Sequence, residues 1–261
     1  MENNEAKTTP DRFPTRTRFV LLGIVALVIV WQMGSVWLPS IIVASPVDTV
    51  VALWNMVIAG ALWKHLGISL VRILLGVLAG CVTGSALGIL AGVKKRWEAF
   101  LEPIRWVVMT IPSIVILVLV LLLFGMGSVQ TIIMTGIITL PFSYVSTLEG
   151  MQAIDRRILE MAHVYKIPRR LRLTNIYLPG IGAAVMAGLT LSAGIGVRAA
   201  ILAEFMGARD GIGHGIFLSW SHLNTPDLYA WILLTFALLA VIEFGALRPL
   251  RNILLKWQVA V

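Results

Sequence analysis

Charged positions are missing over long parts of the chain. Between Phe19 and Val47 no side chain carries a charge, and ~20 apolar residues suffice for a helix to cross a ~30 Å hydrocarbon layer. Comparable runs predict six spanning helices, at 19–38, 66–93, 104–124, 129–147, 181–206 and 228–247. Proline withdraws a backbone donor from the helix ladder, so Pro112 is expected to bend or break the third and Pro141 to bend the fourth. Segment 47–61 is also apolar, but Asp48 and its amphipathic spacing predict a helix lying at the outer surface. The pattern describes an all-α membrane protein, a six-span helical bundle.

Composition supports that picture: 58% of residues are hydrophobic and 13% charged, against roughly 25% charged in a soluble domain. The net charge of +8 would suit nucleic acid, but Lys and Arg fall between the apolar runs, where they report topology. Arg12, Arg16 and Arg18 precede the first run. Lys94, Lys95 and Arg96 follow the second. Arg156, Arg157, Lys166, Arg169, Arg170 and Arg172 lie between the fourth and fifth, and Arg248, Arg251 and Lys256 follow the sixth. Six spans put all four clusters on one side, with both termini cytoplasmic. The first apolar run is too long for a signal-peptide core and reads as a retained helix. Residues 1–17 form a polar, disordered cytoplasmic tail, and 18–261 one membrane domain. The single cysteine, Cys81, excludes an intrachain disulfide and a cysteine-based zinc site.

Gly76, Gly80, Gly84, Gly88 and Gly92 recur at a four-residue step. They predict a face on which another helix packs closely, where lipid gives no hydrophobic drive to association. Arg198 and Glu204 lie in the fifth run. Ionisable residues in a span are costly and often functional, with snorkelling to the outer interface as the alternative, for Arg72 as well. Thr110, Pro112, Ser143, Arg198 and Glu204 are candidates for lining a translocation route. No catalytic constellation is present, and no stretch fits the phosphate-cradling pattern Gly-x-x-x-x-Gly-Lys-Ser/Thr. His65, His163, His214 and His222 lack metal-ligand spacing. A carboxylate–histidine relay, expected of an ion-gradient-driven transporter or channel, is not evident. A membrane anchor or a membrane enzyme has still less to support it.

The connection between the fourth and fifth runs is long enough to be functional. Residues 153–165 read as a helix with Ile154, Ile158, Met161 and Tyr165 on one stripe. Ile167-Pro168 ends it, and 169–177 form a second short helix closed by Leu178-Pro179-Gly180. Such a pair suits a docking surface, or alternatively a basic loop on anionic headgroups.

This stretch resembles the EAA loop of bacterial ABC-importer permeases: Glu-Ala-Ala, three residues, Gly, nine residues, Ile, one residue, Leu-Pro. Here Glu160-Met161-Ala162 is followed after three intervening residues by Lys166, and after nine more by Ile176-Tyr177-Leu178-Pro179. Met161 replaces an Ala. Lys166 replaces the Gly, and because Lys tolerates positive φ less readily, the turn is expected to shift to Ile167-Pro168 or the docking to differ in detail. The likeness extends over residues 45–257 and is closest to the nitrate/sulfonate/taurine group. It is carried by Ser69-Leu70-Val71-Arg72 with the glycine stripe, Leu101-Glu102-Pro103, Ile111-Pro112, Phe124-Gly125-Met126-Gly127, Pro141-Phe142 with Gly150, and Ala203-Glu204 with Gly211-Ile212-Gly213. Arg198 is unusual for that group.

The resemblance implies a permease subunit in a bacterial inner membrane that imports a small, mostly anionic solute by alternating access. It pairs with a second copy, a dimer of cytosolic ABC ATPases and an extracytoplasmic binding protein. The chain itself is then not an enzyme and holds no cofactor; ATP and Mg belong to the ATPase. Loop 150–180 is implied to be a cytoplasmic coupling helix region, with Glu160, Ala162, Lys166, Arg169, Leu178 and Pro179 in the docking surface.

Overall fold

The computed structural model describes residues 13–250, apart from the side chains of 13–17, Ala61, Arg156 and Arg169. The expected tail over 1–12, together with Arg251 and Lys256, lies outside the described residues. Residues 13–17, assigned above to that tail, are helical.

All regular structure among the described residues is helical: α1 Phe13–Trp37, α2 Pro46–Ile58, α3 Ala61–Val93, α4 Lys95–Thr110, α5 Ser113–Phe124, α6 Ser128–Gln152, α7 Arg156–Val164, α8 Arg169–Arg172, α9 Leu178–Gly207, α10 Ile212–Ser221 and α11 Thr225–Ala240. Five helical stretches are long and apolar enough to cross a membrane: Arg18–Trp37, Leu62–Val93, Ser128–Gln152, Arg170–Gly207 and Thr225–Leu250. The pair α4–α5 adds a sixth if counted as one span, but it turns through 99° at Ile111-Pro112. Pro112 caps α5, where its missing N–H costs nothing.

α3, α6 and α9 form the centre. On α3, a Cβ at Gly76 would stand 2.6 Å from Thr135 Cβ, and one at Gly88 would stand 2.8 Å from Thr147 Cβ. Gly80, Gly84 and Gly92 meet Thr139, Ser143 and Met151 in the same way. The four-residue repeat of α3 therefore runs in step with one on α6, and the two helices are parallel. Parallel neighbours need the chain to return between them, and α4 and α5 carry it back.

The α6 face of this contact is polar yet sealed: Gln130, Thr131, Thr135, Thr139, Ser143 and Thr147 are all buried. Their hydroxyls are satisfied locally. Thr135 Oγ1 donates to Thr131 O and Thr139 Oγ1 to Thr135 O, each at 2.8 Å. Ser143 meets Cys81 Sγ at 3.1 Å and Ser192 Oγ at 3.0 Å. Threonine is small enough for close approach and carries its own back-bonded partner, so no donor is stranded in the core.

α1 stands apart, with none of its apolar stretch buried within the chain. It is tied at its C-terminal end, where Trp31 Nε1 donates to Ala44 O at 3.0 Å and the Trp31 ring stacks on Tyr229. Pro141 lies within α6, which remains one unbroken helix.

Candidate functional site

Two sites stand at opposite ends of α9. At the end remote from α7, Arg72 and Glu204 are 3% and 0% exposed. Arg72 Nη1 donates to Glu204 Oε1 at 3.0 Å and to Asp210 O at 2.8 Å. Its Nη2 pairs with the Asp210 carboxylate, and Nη2 and Nε both donate to Ser128 Oγ, at 2.7 and 3.0 Å. Three successive backbone amides close the arrangement. Gly211 N–H donates to His65 Nδ1 (2.9 Å), Ile212 N–H to Ser69 Oγ (2.8 Å) and Gly213 N–H to Glu204 Oε2 (3.0 Å). Ser69 Oγ also donates to Glu204 Oε2 at 2.7 Å.

The amides at the start of α10, which lack helical acceptors, are thus received by side chains of α3 and α9. One guanidinium faces two carboxylates, and the positive end of α10 offsets the excess negative charge. Gly211 has φ +104°, and a Cβ there would collide with the Glu204 carboxylate. This accounts physically for glycine after Asp210. The site is a clamp joining α3, α6, α9 and α10. It sets aside the snorkelling alternative for Arg72 and Glu204, because both are buried and paired. Sequence spacing alone missed His65 and Ser69 on α3, Ser128 on α6 and Asp210 before α10 as partners, since three separate segments supply them.

At the other end, Asp155 caps α7, its Oδ1 accepting from Arg157 N–H at 2.9 Å. The helix closes at Tyr165. Ile167 N–H bonds Ala162 O and Lys166 N–H bonds His163 O, both at 3.0 Å, with Lys166 at φ +50°. This is the six-to-one, five-to-two pattern in which glycine ordinarily takes the left-handed position. The turn therefore stays at Lys166, correcting the expected shift to Ile167-Pro168. The second correction concerns the far side of the loop. The helix from 169 does not end at Leu178-Pro179-Gly180; it runs on as one helix from Arg170 to Gly207. A wider turn over Leu173–Tyr177, with Leu178 N–H on Leu173 O, makes room for Pro179, which has no N–H to donate and whose ring would clash with the carbonyl of Asn175 in a regular turn.

Ala162 is fully buried, whereas Ile158, Met161, Val164 and Tyr165 are 44–75% exposed. Glu160, Lys166 and Leu178 are also exposed, Pro179 is half-buried, and the Arg169 side chain falls outside the described residues. Arg172 Nε is buried without a hydrogen-bond partner. The loop presents apolar and cationic groups that no other described residue covers.

The route candidates are not brought together. Thr110 is exposed at the end of α4, bonded to Trp106 O, and Pro112 is exposed beside it. Ser143 is sealed between α3 and α9, and Glu204 belongs to the clamp. Arg198 is exposed on another face of α9. His65, His214, His222 and Asp227 line a cavity of about 220 Å³. Among the described residues no group of three His, Cys, Asp or Glu is placed to hold a metal ion.

Residues 84–247 match the family model of the binding-protein-dependent transport system inner membrane component. The chain is similar to a protein named as the aliphatic sulfonates transport permease SsuC of Escherichia coli strain K12, 31% identical over 93% of this chain and 91% of that one. It is also similar to the Bacillus subtilis strain 168 protein of the same name, 29% identical over 89% and 84%. A chain from inward-facing structures of the MetNI methionine ABC transporter shares the fold, with a TM-score of 0.64 at 16% identity, over 76% of this chain and 95% of that one.

Proposed function

The chain belongs to the binding-protein-dependent transport inner membrane components, as a multi-pass permease subunit of an ABC importer, and on that premise we propose that it moves a small anion inward by alternating access. An ion-gradient-driven carrier is not favoured by these likenesses. In this reading two copies pair, a binding protein delivers solute from outside, and two cytosolic ATPases, which hold the ATP and Mg, dock on loop 150–180. The α4–α5 pair counts as one broken span, giving six with both termini cytoplasmic. The basic clusters then all face the side where Lys and Arg are retained.

The observation that carries the reading is the unbroken helix Arg170–Gly207. It joins the exposed loop to the buried clamp, so a displacement of α8 is passed toward Glu204 along one continuous helix. Helical elements with two packed arrangements transmit such displacements without continuous deformation. The sulfonate relatives support a small organic anion as cargo.

Leu178→Asp and Glu160→Arg alter exposed loop positions. Each is expected to reduce ATPase co-purification severalfold while membrane insertion stays normal, as introduced charge at a docking surface does. Pull-down from gently solubilised membranes, with mass identification, checks both. Full ATPase recovery with either variant counts against the docking assignment, and ATP-independent uptake by the reconstituted wild type counts against the importer mechanism.

A further inference from the structure

Arg198 is a charge on a long apolar helix for which the described residues offer neither an ion pair nor a hydrogen bond. It lies nine residues before the end of α9 at Gly207, about 14 Å along the axis. That is close to the depth of one leaflet, too deep for its stem alone to bring the guanidinium to water.

The flanks of α9 are occupied. Ala193, Val197 and Ala200 pack in the cluster with Ile73 and Val77 of α3 and Trp231 of α11. Ile195, Ala199, Leu202 and Ala203 pack with Ile116, Leu117 and Val120 of α5 and with Met134 of α6. Between them runs an open arc holding Ala187, Leu191 and Arg198, all exposed, with Gly194 one turn below the arginine. A Cβ on Gly194 would meet nothing within 4 Å, unlike one on Gly76, Gly80, Gly84, Gly88 or Gly92 of α3, so packing among the described residues does not require glycine there. Two turns above Arg198, Phe205 sits edge-on to Phe217 at 5.6 Å, with Trp220 beside both. Lipid would leave the guanidinium without acceptors, which is costly. The arc therefore faces a polar route or a second copy.

We propose that Arg198 and the same residue of a second copy form a cationic site within the route, binding the sulfonate or carboxylate group of the solute below the aromatic cluster. The inference rests on the pairing and small-anion cargo proposed above and deepens that reading. A two-fold pair presents any residue near its axis twice, and two guanidinium forks match a tetrahedral or planar oxyanion through several N–H donors. The empty pair repels itself, and the anion removes that repulsion. Gly194 leaves space beside the site for the body of the solute.

The test uses the full permease–ATPase complex with its binding protein, reconstituted in liposomes, with radiolabelled ethanesulfonate and propionate as anionic probes and dimethyl sulfone as the neutral one. Wild type is expected to import at least one anion with ATP and not the sulfone. Arg198→Gln is expected to lower that uptake about tenfold or more, the scale of losing a charge-assisted hydrogen bond, with ATPase recovery unchanged and Arg198→Lys intermediate. In a Cys81→Ala background, Arg198→Cys is expected to cross-link the two copies with a short bismaleimide. Normal anion import by Arg198→Gln, or no cross-link in an intact pair, overturns the site and leaves the importer reading standing. Import of none of the anions by wild type overturns the small-anion reading and the site with it.

Discussion

Arg72 on α3 and Arg198 on α9 are guanidinium groups on long apolar helices, yet their surroundings are opposed. Arg72 is 3% exposed and donates to Glu204, Asp210 and Ser128. Arg198 is exposed and has none of these contacts. A charge in an apolar helix does not by itself mark a transport residue. When its donors are filled within the chain it organises the protomer, and when they are not, the fold anticipates something from outside. The α3 stripe Gly76, Gly80, Gly84, Gly88 and Gly92 repeats the contrast with Gly194: the first are filled against α6, the second faces empty space.

The largest effect is expected where the clamp is broken from one side. Glu204→Ala leaves Arg72 buried with only the Asp210 side of its pairing, and also strips Ser69 Oγ and Gly213 N–H of their acceptor. Removing one partner of a buried pair costs about 3–5 kcal/mol. The purified permease should show a large loss of thermal stability. Arg198→Ala in the isolated protomer should shift it by less than about 0.5 kcal/mol. Equal melting curves for the two variants would erase the distinction between them.

The glycine comparison is smaller. Gly84→Ala drives a methyl into Leu140 O and Ser143 Cβ, and overpacking of this kind typically costs 1–3 kcal/mol. Gly194→Ala meets nothing in the protomer and should leave its stability unchanged, so any effect it has appears only in uptake by the assembled complex. Thermal denaturation of the two variants side by side, followed by transport, separates packing within a protomer from space kept between copies.

Five long apolar helices and the glycine stripe could be read from the sequence because both are periodic and local. The two short helical segments of loop 150–180 were legible as well, though neither the place of the turn between them nor the end of the second was. The clamp was not. Arg72 and Glu204 stood out as ionisable residues in apolar runs, but only the way α3, α6 and α9 pack pairs them with each other and with His65, Ser69, Ser128 and Asp210. The threonine repeat on α6 was visible as Thr131, Thr135, Thr139, Ser143 and Thr147, but its meaning depends on lying in step with the glycines of α3. Leu178-Pro179-Gly180 carries strong helix-breaking chemistry, and it was overridden because the widened turn at Leu173–Tyr177 absorbs the proline.

Lys166 offers the smallest and most local test. Its φ of +50° places an L-residue where the Cβ crowds the neighbouring carbonyl, at roughly 1–2 kcal/mol, and the side chain is exposed and makes no hydrogen bond that would offset this. Lys166→Gly should therefore stabilise the α7 turn by about 1 kcal/mol, read as slower amide exchange at Lys166 and Ile167, whose N–H groups bond His163 O and Ala162 O. Lys166→Val, β-branched and less tolerant of positive φ, should speed exchange at the same two amides. If the glycine variant gains stability but loses ATPase recovery, the lysine charge serves docking and the strain is kept for it. If it gains both, Lys166 is a substitution that the six-to-one bond to Ala162 is strong enough to hold in place.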